Sequence, residues 1–64
     1  MITVNGAAHD LAGRSVRAVL TALSISDRGV AVAIDGDVVS KSQWDATTVQ
    51  DGAVVEVVTA VAGG

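Results

Sequence analysis

The chain has 64 residues, half of them apolar, with seven acids against four bases and no cysteine. That length admits one domain, which buries only about 60% of its unfolded-state surface and so folds with little margin, and no disulfide framework or cysteine-based zinc site can reinforce it. The formal charge of −3, with Arg14, Arg17, Arg28 and Lys41 scattered, excludes the cationic cluster that nucleic-acid binding relies on and favours a basic polar partner.

The longest uninterrupted apolar run, "VAVAI", is five residues, against roughly 18 for a membrane span. The opening "MITVNGAAHD" lacks the basic region and long apolar stretch of a secretory signal. The expectation is a soluble cytoplasmic protein that engages neither membrane nor nucleic acid.

Along the chain, "MITV" alternates and meets Asn5-Gly6, the strongest short hairpin signal, because both residues tolerate the positive φ of a type I′ turn. Residues 2–4 read as a strand and residues 8–11 as its partner. In "AGRSVRAVLTALSISDRG", Val16, Val19, Leu20 and Leu23 fall at i, i+3, i+4 and i+7, one face of a helix. Ser15 can cap its start by accepting a bond from a first-turn amide, and the helix should end near Ser24. "VAVAI", Asp35-Gly36 and "DVV" form a second hairpin. "SKSQWDATTVQDG" has no sustained period and reads as a connector with one helical turn around residues 42–45. The β-branched "AVVEVVTAV" closes the list as a strand. One helix cannot bury its stripe alone, and a sheet with one apolar face is its natural cover. The order ββαββ, connector, β thus describes an α+β domain, with a mixed sheet of four or five strands on one main helix, the β-grasp arrangement.

Glu56 sets the register of the last strand. With Glu56 toward water, Val55 and Val57 face the helix, while Val58 and Ala60 share the outer face. Val30, Val32 and Ile34 face the core, leaving Ala31 and Ala33 outside. A contiguous apolar outer face marks a contact site, whereas isolated surface valines are ordinary; both readings stand at this point.

Reactive side chains are few. His9, the sole histidine, has no nucleophile near it in sequence and reads as solvated or structural rather than as part of a triad. Asp35 and Asp37 flank a glycine without the further oxygen ligands of a calcium loop, so they read as turn carboxylates. No phosphate-cradling glycine loop with its lysine occurs. Trp44, the single aromatic, reads as a packing plug over the core's edge, since base-stacking surfaces combine aromatic and basic residues. What remains is the pair Gly63-Gly64 and the α-carboxylate of Gly64. Such a group has a pKa of about 3.3 to 3.7 and is ionised at neutral pH; it can attack the α-phosphate of a nucleotide and become an acyl adenylate. Three or four extended residues reach on the order of 10 to 14 Å, enough to enter a partner's pocket, and glycine leaves no side chain to clash there. Chance alone gives two glycines at one given end in roughly one chain in 200.

The opening "ITVNG", the helical "SVRAVLTAL", the segment "VAVAIDGDVVSKSQW", the acidic turn "QDG" and above all "VEVVTAVAGG" make the chain resemble, along nearly its whole length, the bacterial ThiS family of thiamin-biosynthesis sulfur carriers with a ubiquitin-like β-grasp fold. It departs from the family's pattern at Ser40, where a proline is expected nearby, at Lys41, where arginine is common, and at Ala62. The resemblance implies a β-grasp domain over residues 1–61 and a flexible tail over residues 62–64. A ThiF-like adenylating enzyme would activate Gly64 with ATP, sulfur would convert it to a thiocarboxylate, and a ThiG-like thiazole synthase would receive that sulfur. Gly63 would give the tail access to the partner's site, and Val58, Ala60, Val61 and Ala62 would contact the partner. The chain would bind no cofactor or metal of its own and would act as a co-substrate rather than an enzyme. Two other readings stay open: another β-grasp carrier or modifier, such as the small subunit of molybdopterin synthase, and a plain β-grasp binding module for which the terminus is incidental.

Overall fold

The computed structural model describes residues 1–59. Its elements run β1 (Ile2–Val4), β2 (Ala7–His9), α1 (Val16–Ala22), β3 (Val30–Ile34), β4 (Asp37–Val39), a 3-10 turn (Lys41–Gln43) and β5 (Val54–Thr59). The strands form one sheet in the order β2-β1-β5-β3-β4. β5 lies at its centre, parallel to β1 and antiparallel to β3, and the outer strands are the returning arms of two hairpins.

Both hairpins turn where the sequence signals them. Asn5 and Gly6 have φ of 51° and 86°, Asp35 and Gly36 of 51° and 88°, the left-handed pairs that a type I′ turn requires and that match the twist of the strands. A two-residue loop fixes the register at once: Val4 opposes Ala7, and Ile34 opposes Asp37. This corrects the expected span of β2. Pairing starts directly after the turn, and β1 offers no partner beyond Ile2, which opposes His9, so β2 is residues 7–9 rather than 8–11.

The two turns also reach sideways to β5. Asp35 accepts from the Val54 N–H through Oδ1 at 2.9 Å and donates its own N–H to the Val54 carbonyl at 2.8 Å. Asn5 donates its N–H to the Val55 carbonyl at 2.9 Å, and its carboxamide takes both backbone groups of Val57, accepting at 2.8 Å and donating at 3.0 Å.

Val16, Val19 and Leu20 of α1 are buried as the stripe requires, and Leu23 packs half-buried against the same cluster. Ser15 Oγ accepts from the Ala18 N–H at 3.1 Å. The Val16 and Arg17 amides donate to the carbonyls of Thr47 and Trp44 at 2.9 and 3.3 Å, so three of the four donors that a helix start leaves open are satisfied. At the other end Ser24 adopts φ of 56°, while Ser24 N–H bonds the Thr21 carbonyl and Ile25 N–H the Leu20 carbonyl. This is the Schellman arrangement, with serine in the place that glycine fills most easily.

Residues 40–52 do more than connect. Val49 is fully buried and Trp44 is 1% exposed, so both belong to the core, together with Ile2, Val4, Val32 and Val55 of the sheet. Trp44 is thus a buried member of the core, and its Nε1 donates to the Val39 carbonyl at 3.0 Å. Arg17 and Lys41 lie over the ring, 5.6 and 5.9 Å from its centroid. Arg17 also bonds Asp45 at 2.7 Å and Asp27 at 3.2 Å, and Lys41 Nζ stands 3.9 Å from Asp27. The bonds of Val49 N–H to the Arg14 carbonyl and Gly13 N–H to the Val49 carbonyl, both 2.8 Å, tie this segment to the helix entry.

The Met1 ammonium pairs with the Asp51 carboxylate. That hydrogen bond raises the ammonium's pKa above its ordinary 8.0 and lowers the carboxylate's below 3.8. A raised base contributes fully below its ordinary value and is lost as pH rises through the raised one; a lowered acid contributes fully above its ordinary value and is lost as pH falls through the lowered one. The pair therefore holds across the window between 3.8 and 8.0. Asp51→Asn is expected to return the amino-terminal titration toward 8.0, read by NMR, with little change in melting temperature because both groups are exposed.

Ser24→Gly is expected to stabilise the fold by about 0.5 to 1 kcal/mol, the relief of left-handed strain less the added freedom of the unfolded chain. The check is an upward shift in urea midpoint at unchanged slope.

Candidate functional site

Among the described residues the core lies on the helix side of the sheet, and none of them covers the other face. In β5, Val55 is buried and Val57 half-buried, while Val54, Glu56 and Val58 are exposed; the alternation set by Glu56 is the one observed. In β3, Val32 is buried, and Val30 and Ile34 pack half-buried against the core. Ala31 and Ala33 are paired with Val58 and Glu56, which places them on the outer face.

Two alanines side by side on a central strand make a trough, because neither has atoms beyond Cβ to fill it. Ala33 lies between Glu56 of β5 and Val38 of β4, and Ala31 lies beside Val58. These residues enclose an open depression of about 150 Å³, space on the scale of one aromatic ring. Val38 is 77% and Val58 58% exposed, so the walls are apolar and wet, and the one charge in the lining is Glu56. Val38 is a contributor that sequence reasoning passed over. The signal was present: a two-residue turn at Asp35-Gly36 puts Ala33 opposite Val38, and facing outward with one means facing outward with the other.

Of the residues expected to contact a partner, Val58 lies on this face. Ala60, Val61, Ala62, Gly63 and Gly64 fall outside the described residues. His9 is half-buried on the edge strand β2. Asp35 acts as a turn carboxylate, with its acceptor used on Val54, and Asp37 is exposed at the start of β4. Among the described residues, no three His, Cys, Asp or Glu side chains gather where a metal could sit, and no helix is long and apolar enough to cross a membrane.

One helix packed on a five-stranded mixed sheet, with the first and last strands side by side at its centre, defines a ubiquitin-like β-grasp protein. Its distinguishing surface is an apolar outer sheet face with a single acid. The model of the ThiS family matches residues 2–64, and the chain belongs to that family. The crystal structure of the thiamine biosynthesis protein ThiS from Geobacter metallireducens is 37% identical, with a TM-score of 0.82 over 98% of this chain and 97% of that one. A solution NMR structure of a thiamine biosynthesis protein from the same organism gives 34% identity and a TM-score of 0.73, over 98% and 86% of the two chains. Among curated proteins none matches.

Opposite faces of one strand should respond oppositely. Val55→Ala is expected to cost about 2 to 3 kcal/mol through lost burial and a residual cavity, whereas Val58→Lys should stay within about 0.5 kcal/mol. Thermal melts of the two variants decide it, and a large loss for Val58→Lys would mean that Val58 belongs to the core.

Proposed function

We propose that the protein is a sulfur carrier for thiazole formation in thiamin biosynthesis, with the carboxylate of Gly64 as its working group. The observation that carries this reading is the ThiS-family match, which runs through Gly63 and Gly64. The close likeness to a thiamine biosynthesis protein supports it and favours this pathway over that of molybdopterin synthase or a ubiquitin-like modifier.

In this reading the ionised carboxylate attacks the α-phosphorus of ATP held by a ThiF-like partner. A C–O–P linkage forms, pyrophosphate leaves with its electron pair, and the acyl carbon is now joined to a good leaving group. A sulfur nucleophile at the oxidation level of hydrosulfide adds to that carbon, and AMP departs, leaving a thiocarboxylate. A ThiG-like thiazole synthase takes the sulfur. The carrier binds no cofactor itself; ATP belongs to the activating partner, in keeping with a cytoplasmic setting. Residues 1–61 act as the handle and residues 62–64 as the tail, with Gly63 narrow enough for a confined channel. Val58, Ala60, Val61 and Ala62 contact the partner.

Incubation with a ThiF-like enzyme, ATP and a sulfide source is expected to add the mass of sulfur less that of oxygen, localised by fragmentation to Gly64. One residue appended after Gly64 should abolish the gain, because the activated carboxylate is then on the wrong residue. An unchanged mass with an activating enzyme competent toward another carrier overturns the reading, and a binding module would tolerate the added residue.

A further inference from the structure

We propose that Asn5 is a positioning residue for this terminal chemistry: its carboxamide clamps β5 at Val57, two residues before the end of the strand from which the reacting terminus follows in sequence. The proposal rests on the carrier reading for its functional consequence and on the geometry of β5 for its cause.

In β5 the backbone N–H and C=O groups of successive residues point to opposite neighbours. Val54 directs its pair at Asp35, on the β3 side; Val55 and Val57 direct theirs toward β1. On that side the ladder has only two register pairs, Thr3 with Val54 and Val4 with Val55. The next rung of a parallel ladder would join the Val57 N–H to the Asn5 carbonyl. Asn5, however, has turned into the hairpin at φ of 51°, and Oδ1 takes that bond at 2.8 Å while Nδ2 reaches the Val57 carbonyl at 3.0 Å. One side chain stands in for a missing peptide group. A carboxamide matches it as a peptide group would, since Val57 presents one donor and one acceptor. Aspartate has no donor for the carbonyl, and glycine has neither group, although both accept the left-handed turn. Val57 lies two residues before the end of β5 at Thr59, and Val58, between them, is on the outer face. The clamp thus sits beside the outer-face residue Val58, near the end of β5.

Asn5→Gly and Asn5→Asp test it, because each keeps the turn. In the free protein, amide exchange at Val57 should accelerate about fivefold or more in Asn5→Gly, the effect of losing one net hydrogen bond, while Val55 and Val32 keep their rates. With a ThiF-like enzyme and ATP, measured by pyrophosphate release at a temperature where the variants are fully folded, kcat should fall roughly tenfold or more, as misplacement of a reacting group predicts, with KM for the carrier nearly unchanged. Val49→Ala, which weakens the core away from Asn5, should leave kcat as it is. Unchanged kcat in Asn5→Gly overturns the positioning role, and so does an equal loss in Val49→Ala, which would show that general stability is what matters. Absence of any pyrophosphate release from the wild-type carrier overturns the carrier reading instead, and the clamp is then judged by Val57 exchange alone: unaltered exchange overturns it.

Discussion

A strand at the centre of a sheet must find partners for its peptide groups on both sides, and β5 has too few on one of them. β3 runs along it for five paired residues, Val30 to Ile34, but β1 contributes only two before it turns away. An unpaired N–H or C=O in a half-covered position loses water without gaining a partner. Both turns extend the pairing of β5 with side chains, Asn5 on the short β1 side and Asp35 just past the end of β3. Their first residues, Asn5 and Asp35, stand in the left-handed region and send side chains to β5, one near each end. The chemistry differs as the task differs. Asp35 has a backbone N–H free to meet the Val54 carbonyl, so its side chain need only accept; Asn5 has already used its N–H on Val55, so its side chain must do both.

That second use of the turn residues was not legible from the sequence. Asn-Gly and Asp-Gly announce a hairpin through local backbone preference, which is all that a short window contains. Their bonds to Val57 and Val54 join residues 52 and 19 positions apart and depend on the order of strands. Alternation and helical spacing were sufficient for the elements whose structure is local. The stripe Val16, Val19, Leu20, Leu23, the Ser15 cap and the faces of β5 and β3 all follow from period and polarity. Residues 40–52 resisted because they have no period: Trp44 and Val49 enter the core singly, from a 3-10 turn and an irregular segment, and only the third dimension brings them beneath the sheet. The outer trough was half legible. Ala31, Ala33 and Val58 follow from alternation, whereas Val38 needed the register of the second turn to be carried across to β4.

Trp44 shows how a chain this short completes its core. α1 has seven residues and about two turns, too little to cover a five-stranded sheet, and the uncovered part of the inner face falls to the segment after β4. Placing an indole there fills volume, but its N–H must be satisfied when buried; the Val39 carbonyl at the end of β4 does this at 3.0 Å. The same segment lends its carbonyls at 44 and 47 to the start of α1. Helix, connector and sheet are consequently one cooperative unit, and no part of the inner face is free to vary on its own.

The outer face obeys a different rule. A single layer of helix and connector covers one side of the sheet, and an antiparallel or mixed sheet can leave its other side in water. Side chains there are released from the packing constraint that ties Val55, Trp44 and Val49 together, so small alanines beside exposed valines are tolerated without a cavity. Core and surface are divided by the pleat itself: along β5, Val55 and Val57 pack against the core while Val54, Glu56 and Val58 face outward. Val57 is the exception that links the two. Its side chain packs inward while its peptide groups are held by Asn5 at the edge, so the residue that completes the inner face also sets the course of the strand toward its last residues.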